Sequence, residues 1–142
     1  MKRFTFAAAV ALAAAPLLCA TSAQAFDLTV EVLNARSDQG LVLAAVYGAE
    51  AGWLKSDQAV QAQRAPAAAK TVIVYRDLPA GSYAVSSFHD ENGNGKLDTN
   101  VVGFPTERFG FSRDAVGRMG PPSFADAAID LQRDTTITIN LH

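Results

Sequence analysis

The sequence predicts an all-β domain built as an antiparallel β-sandwich. Three observations lead there: apolar residues recur with period two, the segments that carry this alternation are short, and Gly, Pro, Asn or Asp marks the junctions between them. In the first segment Phe26, Leu28, Val30 and Val32 share one face, and Asp27, Thr29 and Glu31 share the other. Ser37-Asp38-Gln39-Gly40 has turn chemistry, and Leu41 to Tyr47 beyond it is nearly all apolar, as a strand covered on both faces would be. These two segments are expected to pair as a hairpin. Thr71 to Tyr75 is β-branched and aromatic, and Leu78-Pro79-Ala80-Gly81 then turns the chain into the alternating segment Tyr83 to His89. A last strand follows from Ile137, Ile139 and Leu141 set against Thr136, Thr138 and Asn140, with Ala128 to Leu131 as its expected partner. Ser56 to Ala65, capped by Ser56 or Asp57 and stopped by Pro66, is expected to form a short helix. So little helix among so many short strands argues against an α/β fold. The strands are too few and too short for an outer-membrane barrel.

Residues 1–25 read as a signal peptide. Lys2 and Arg3 precede an apolar run from Phe4 to Leu18, and Ala23-Gln24-Ala25 supplies the small residues of a cleavage site. The run is interrupted by Pro16 and falls short of the roughly 20 apolar residues of a bilayer span. Bulky Leu18 before Cys19 argues against a lipoprotein signal. The expectation is a single domain over 26–142, periplasmic or secreted, with no membrane span after cleavage. Cys19 is the one cysteine, so that domain has no disulfide and must hold by packing or with help from a metal. The net charge of −2 becomes more negative once Lys2 and Arg3 are removed, which argues against a nucleic-acid partner, for which a basic face is needed.

The clearest chemical feature is the acidic loop Asp90-Glu91-Asn92-Gly93-Asn94-Gly95-Lys96-Leu97-Asp98. Calcium takes six to eight oxygens, and side chains at alternate positions of a tight loop can bring several of them to one point. Asp90, Asn92, Asn94 and Asp98 fill the first, third, fifth and ninth positions of that scheme, and the Lys96 carbonyl fills the seventh. Gly95 stands at the sixth, where the chain turns sharply. Val101 occupies the twelfth position, where an EF-hand carries a bidentate Glu, and no helix precedes the loop. The loop is therefore not an EF-hand, and a calcium site here needs an acid from elsewhere: Glu107, Asp114 and Asp126 are the candidates. Asn92-Gly93 and Asn94-Gly95 are also turn dipeptides, so a plain hairpin turn is the competing explanation.

Between Gly93 and Gly120 lie six of the ten glycines, interleaved with arginines and aromatics. So long a stretch without periodicity is functional or structurally pinned. Arg108, Phe111, Arg113 and Arg118 are candidates for binding a glycan, an anionic small molecule or another envelope component. The alternative is that the aromatics plug the segment onto the sandwich while the arginines pair with acids or loop carbonyls. Catalysis has thin support. His89 and His142 are the histidines, and Ser86, Ser87 and Ser123 lack a surrounding motif for a hydrolase.

The string from Phe88 to Asn100, together with Gly103-Phe104-Pro105, Gly110-Phe111-Ser112, Gly120-Pro121-Pro122-Ser123-Phe124 and Leu78-Pro79-Ala80-Gly81-Ser82-Tyr83, resembles the DUF2141 family of exported bacterial proteins of unknown function. That resemblance implies export and a sandwich of the immunoglobulin or transthyretin type, with no activity attached. The Leu-Pro-x-Gly-x-Tyr turn is also similar to turns in carboxypeptidase-regulatory and collagen-adhesin repeat sandwiches, an analogy of fold alone.

Overall fold

The computed structural model describes residues 23–142. Of the expected signal peptide, residues 1–22, Cys19 included, lie outside the described residues. Ala25 opens the first strand, and Gln24 O accepts the Ala80 N–H at 3.3 Å.

The architecture is all-β. The strands are β1 (Ala25–Leu33), β2 (Leu41–Tyr47), β3 (Gln61–Pro66), β4 (Lys70–Pro79), β5 (Gly81–Asp90), β6 (Phe109–Phe111), β7 (Ile129–Leu131) and β8 (Thr135–Asn140), with one short helix, α1 (Phe124–Ala127), before β7. One sheet has the order β4-β1-β8, with β1 antiparallel to β4 and parallel to β8. The other runs β3-β2-β5-β6, and β7 also pairs with β5. The two sheets face each other across a single core. Leu28, Val30, Val32, Ile73, Tyr75 and Ile139 come from the first sheet, and Val42, Ala44, Val46, Tyr83 and Val85 from the second. In β1, β5 and β8 the period-two alternation thus sends one set of side chains inward, as the sequence predicts.

Two pairing expectations and one expected helix need correction. Phe26 to Val32 and Leu41 to Tyr47 do not form a hairpin, because β1 and β2 belong to opposite sheets and the chain crosses between layers over residues 34–40. Ala128 to Leu131 does not pair with the last strand: β7 lies against Gly81–Tyr83 of β5. The expected helix over Ser56 to Ala65 is a single 3-10 turn at Ser56–Gln58 followed by β3. Leu41–Val46 of β2 otherwise has a free edge, and the ladder made there with Gln61–Pro66 outweighs the helix propensity of Ala, Gln and Arg. Pro66 sits at the end of this edge strand, where its missing N–H costs no ladder bond.

The layers also meet along both flanks. On one, Gln61 Nε2 and Gln63 Nε2 of β3 donate to Arg76 O (3.0 Å) and Val74 O (2.8 Å) of β4. On the other, Phe109 and His142 exchange backbone hydrogen bonds at 3.0 and 3.3 Å. Gly110 packs there so closely that a Cβ would sit 2.6 Å from Asn140 O. The exposed backbone groups that make edge strands a template for aggregation are thereby partly covered.

Candidate functional site

β5 is the central strand of its sheet, and the acidic loop leaves from its last residue. Asp90 is only 1 % exposed, an unusual place for a carboxylate unless its oxygens are engaged. Its Oδ1 accepts the Asn94 N–H at 3.1 Å and its Oδ2 the Gly95 N–H at 2.8 Å. This wraps the loop around the strand end, with Gly93 and Gly95 both at positive φ (73° and 75°). Asn92 Oδ1 accepts from Asn94 N at 3.0 Å, and Asn94 Oδ1 from Lys96 N at 2.9 Å. The amide nitrogens of both asparagines then donate to Asp98, Asn92 Nδ2 to Oδ2 at 2.6 Å and Asn94 Nδ2 to Oδ1 at 2.7 Å.

Of the three acids that could complete a shell, the fold brings Glu107 to the loop. Buried at its base, Glu107 accepts the Glu91 N–H on Oε1 (2.9 Å) and the Asp98 N–H on Oε2 (3.0 Å), bridging the two ends of the loop. Asp114 lies elsewhere, holding Asn140 N and Nδ2 of β8. Asp126 sits in the first turn of α1, bonded to the capping Ser123. Val101, at the twelfth position, is fully exposed at a separate hairpin tip. Among the described residues the ion pairs are Arg36–Glu91 (2.8 Å), Lys70–Glu31 (3.1 Å) and Arg76–Asp27 (2.9 Å), and none reaches Asp90, Asp98 or Glu107. Among the described residues, too, no three His, Cys, Asp or Glu side chains converge as a ready metal group. Asp90 and Glu107 turn their oxygens to backbone N–H groups, and Asp98 is held by the two amides.

His89 is fully buried beneath the loop. Its Nδ1 accepts the Arg36 N–H at 3.1 Å and its Nε2 lies 2.7 Å from Gln39 O, which places the ring proton on Nε2. Both nitrogens thus fix the 34–40 crossover against the loop rather than facing a substrate. Gly40, at φ 74°, closes the packing: a Cβ there would meet Asp90 O at 2.2 Å.

The arginine and aromatic candidates each have their own surroundings. Arg108 Nη1 donates to Asn34 O at 2.9 Å, and Arg113, at φ 62°, reaches Ala128 O at 3.5 Å. Arg118 is exposed. Phe111 is buried against Trp53, ring centroids 5.8 Å apart. Trp53 is the residue sequence reasoning missed. It packs edge-on against Tyr47 (5.2 Å) and Phe124 (6.0 Å), and its Nε1 donates to Pro122 O at 2.9 Å, so one side chain pins the 112–124 stretch to the sheet. A lone Trp between two turn-rich segments was the available signal. Beside this cluster is an open cleft of about 270 Å³ whose lining includes Phe109, Phe111, Asp114, Val116 and His142, and none of the three arginines.

An all-β domain with one acidic loop closed by a distant glutamate is the class this fold and site define. The model of the family described as "Uncharacterized protein conserved in bacteria (DUF2141)" matches residues 30–139, and the chain belongs to that family. No curated protein and no solved structure matches it. Among the described residues no helix is long and apolar enough to cross a membrane.

Proposed function

We propose that this chain is an exported, non-catalytic domain, in the manner of an immunoglobulin- or transthyretin-type sandwich, whose Asp90–Asp98 loop binds calcium to hold its long glycine-rich segment in place. One observation carries the reading: Asp90, Asp98 and Glu107 each accept hydrogen bonds from groups of the one loop, and among the described residues no cationic side chain pairs with any of them. The ligand spacing supports it, and so does the role the two asparagine amides play. Their N–H groups serve Asp98 as a cation would, and turning each amide about its Cβ–Cγ bond replaces the donor with an oxygen. Calcium would then collect the Asp98 carboxylate, two amide oxygens and the Lys96 carbonyl, with Asp90 or Glu107 closing the shell. The leader-like sequence before Phe26 supports export, and an extracellular module of this kind binds in the range of about 10⁻⁴ to 10⁻³ M.

Because a cation bound only by the folded state stabilises by mass action, tenfold excess over Kd adds about 1.4 kcal/mol. Thermal melts with calcium and with chelator check this. Calcium is expected to raise the melting temperature by several degrees, and Asp98→Ala or Asp90→Ala to remove the rise. An unchanged melting temperature at millimolar calcium assigns the loop to hydrogen bonding alone. The cleft beside Phe109 and Phe111 favours a second reading, a binding site for a small glycan. Protection of His142 and Asp114 resonances by an oligosaccharide panel, unaffected by Asp98→Ala, would separate it from the first.

A further inference from the structure

The acidic loop carries a second kind of chemistry, one that needs no metal. An asparagine followed by glycine can close on itself: the glycine backbone nitrogen attacks the asparagine Cγ, ammonia leaves, and water opens the succinimide ring that results. Glycine suits the second position because no Cβ obstructs the attack. Of the five asparagines, Asn34, Asn100 and Asn140 precede Ala35, Val101 and Leu141, while Asn92 precedes Gly93 and Asn94 precedes Gly95.

The two Asn-Gly pairs have matching surroundings. All four residues are exposed. Each asparagine Oδ1 accepts the N–H of the residue two further on, Asn94 at 3.0 Å and Lys96 at 2.9 Å, which polarises the carbonyl and steadies the oxyanion formed on attack. Each Nδ2, the departing nitrogen, donates to Asp98, at 2.6 and 2.7 Å. Chain neighbours aside, a Cβ on either glycine would have nothing within 4 Å.

What differs is the nucleophile. The Gly95 N–H donates to Asp90 Oδ2 at 2.8 Å, and buried Asp90 is itself fixed by a second bond from Asn94 N at 3.1 Å. Before Gly95 N can reach Asn94 Cγ it must leave that carboxylate, and it must give up a proton beside a negative charge. The Gly93 N–H has no hydrogen-bond partner among the described residues. Having first to break a hydrogen bond to a charged acceptor slows a step by roughly ten- to hundredfold.

We infer that Asn92 is a site of spontaneous deamidation, converted in the folded protein to aspartate and isoaspartate, while Asp90 holds Asn94 back. The Gly93 N–Cγ bond forms as the Cγ–Nδ2 bond breaks, the Gly93 proton leaves with the ammonia, and water hydrolyses one of the two imide bonds. The loop gains a negative charge and loses one of the two amides that hold Asp98. The inference stands whether or not the loop binds calcium.

The test is prolonged incubation of the full chain at neutral pH with chelator, then digestion at acid pH and fragmentation mass spectrometry, which resolves the two sites. Asn92 is expected to gain about 1 Da, and to do so at least about tenfold faster than Asn94. In urea, where the Asp90 contact is lost, the two sites are expected to react at comparable rates. An Asn92→Gln chain is expected to keep the mass of its loop over the same period. Asn92 that stays intact in the folded chain yet reacts in urea overturns the inference, as does Asn94 that keeps pace with Asn92 in the folded chain. A tenfold difference that persists in urea would assign the selectivity to local sequence instead of Asp90 and overturn it equally.

Discussion

At the scale of single residues, two buried hydroxyls sit in opposite situations. Ser112 Oγ is fully buried, accepts the Val85 N–H at 2.9 Å and donates to Ala127 O at 2.5 Å, joining β5 to the segment before β7. Ser112→Ala leaves both backbone groups unpaired in the interior and is expected to cost about 2–3 kcal/mol in urea unfolding. The Tyr75 hydroxyl, also in the core, has no hydrogen-bond partner. Tyr75→Phe is therefore expected to be neutral or to stabilise by up to about 1 kcal/mol. Burial, with the nearby Tyr47 phenol second, raises the Tyr75 pKa above its ordinary 10.0. The unfolded chain then releases this proton first as pH rises past about 10, so stability falls there, and Tyr75→Phe should flatten that alkaline loss. A pH series of melts on both proteins decides it.

At the scale of elements, the sequence reports which face of a strand is buried but not which strand lies beside it. Leu28, Val30 and Val32 alternate identically whether β2 is their neighbour in a sheet or their opposite across the core. The turn at Ser37–Gly40 therefore read as a hairpin when it is a crossover, fixed by His89 and by the close approach of Gly40 to Asp90. β3 was illegible for another reason: its Gln, Ala and Arg suit a helix, and only the free edge of β2 makes them a strand. The glutamines of β3 carry a testable role. Gln61→Ala with Gln63→Ala removes the side-chain bonds to β4 and is expected to cost about 1–2 kcal/mol and to raise aggregation on heating, read by light scattering. The acidic loop was legible because its spacing is local. Glu107 could not be ranked above Asp114 or Asp126, since the path that returns it to Glu91 and Asp98 is set by the fold of the intervening hairpin.

For the whole molecule, the two sheets share one core and meet along both flanks, so residues 23–142 form a tight body with its long irregular segment held at few points. Trp53 pins the 112–124 stretch, and Glu107 with the acidic loop pins the 91–108 stretch. Calcium at that second point would lock the hairpin to the end of the central strand, where hydrogen bonds alone leave three carboxylates without a counter-charge. Side-chain amide NMR of Asn92 and Asn94 during a calcium titration tests this most directly. Both NH₂ groups are predicted to leave Asp98 and shift in a saturable manner at up to millimolar calcium, with no change in Asp98→Ala. Amide resonances that stay in place across the titration would contradict calcium binding in this loop.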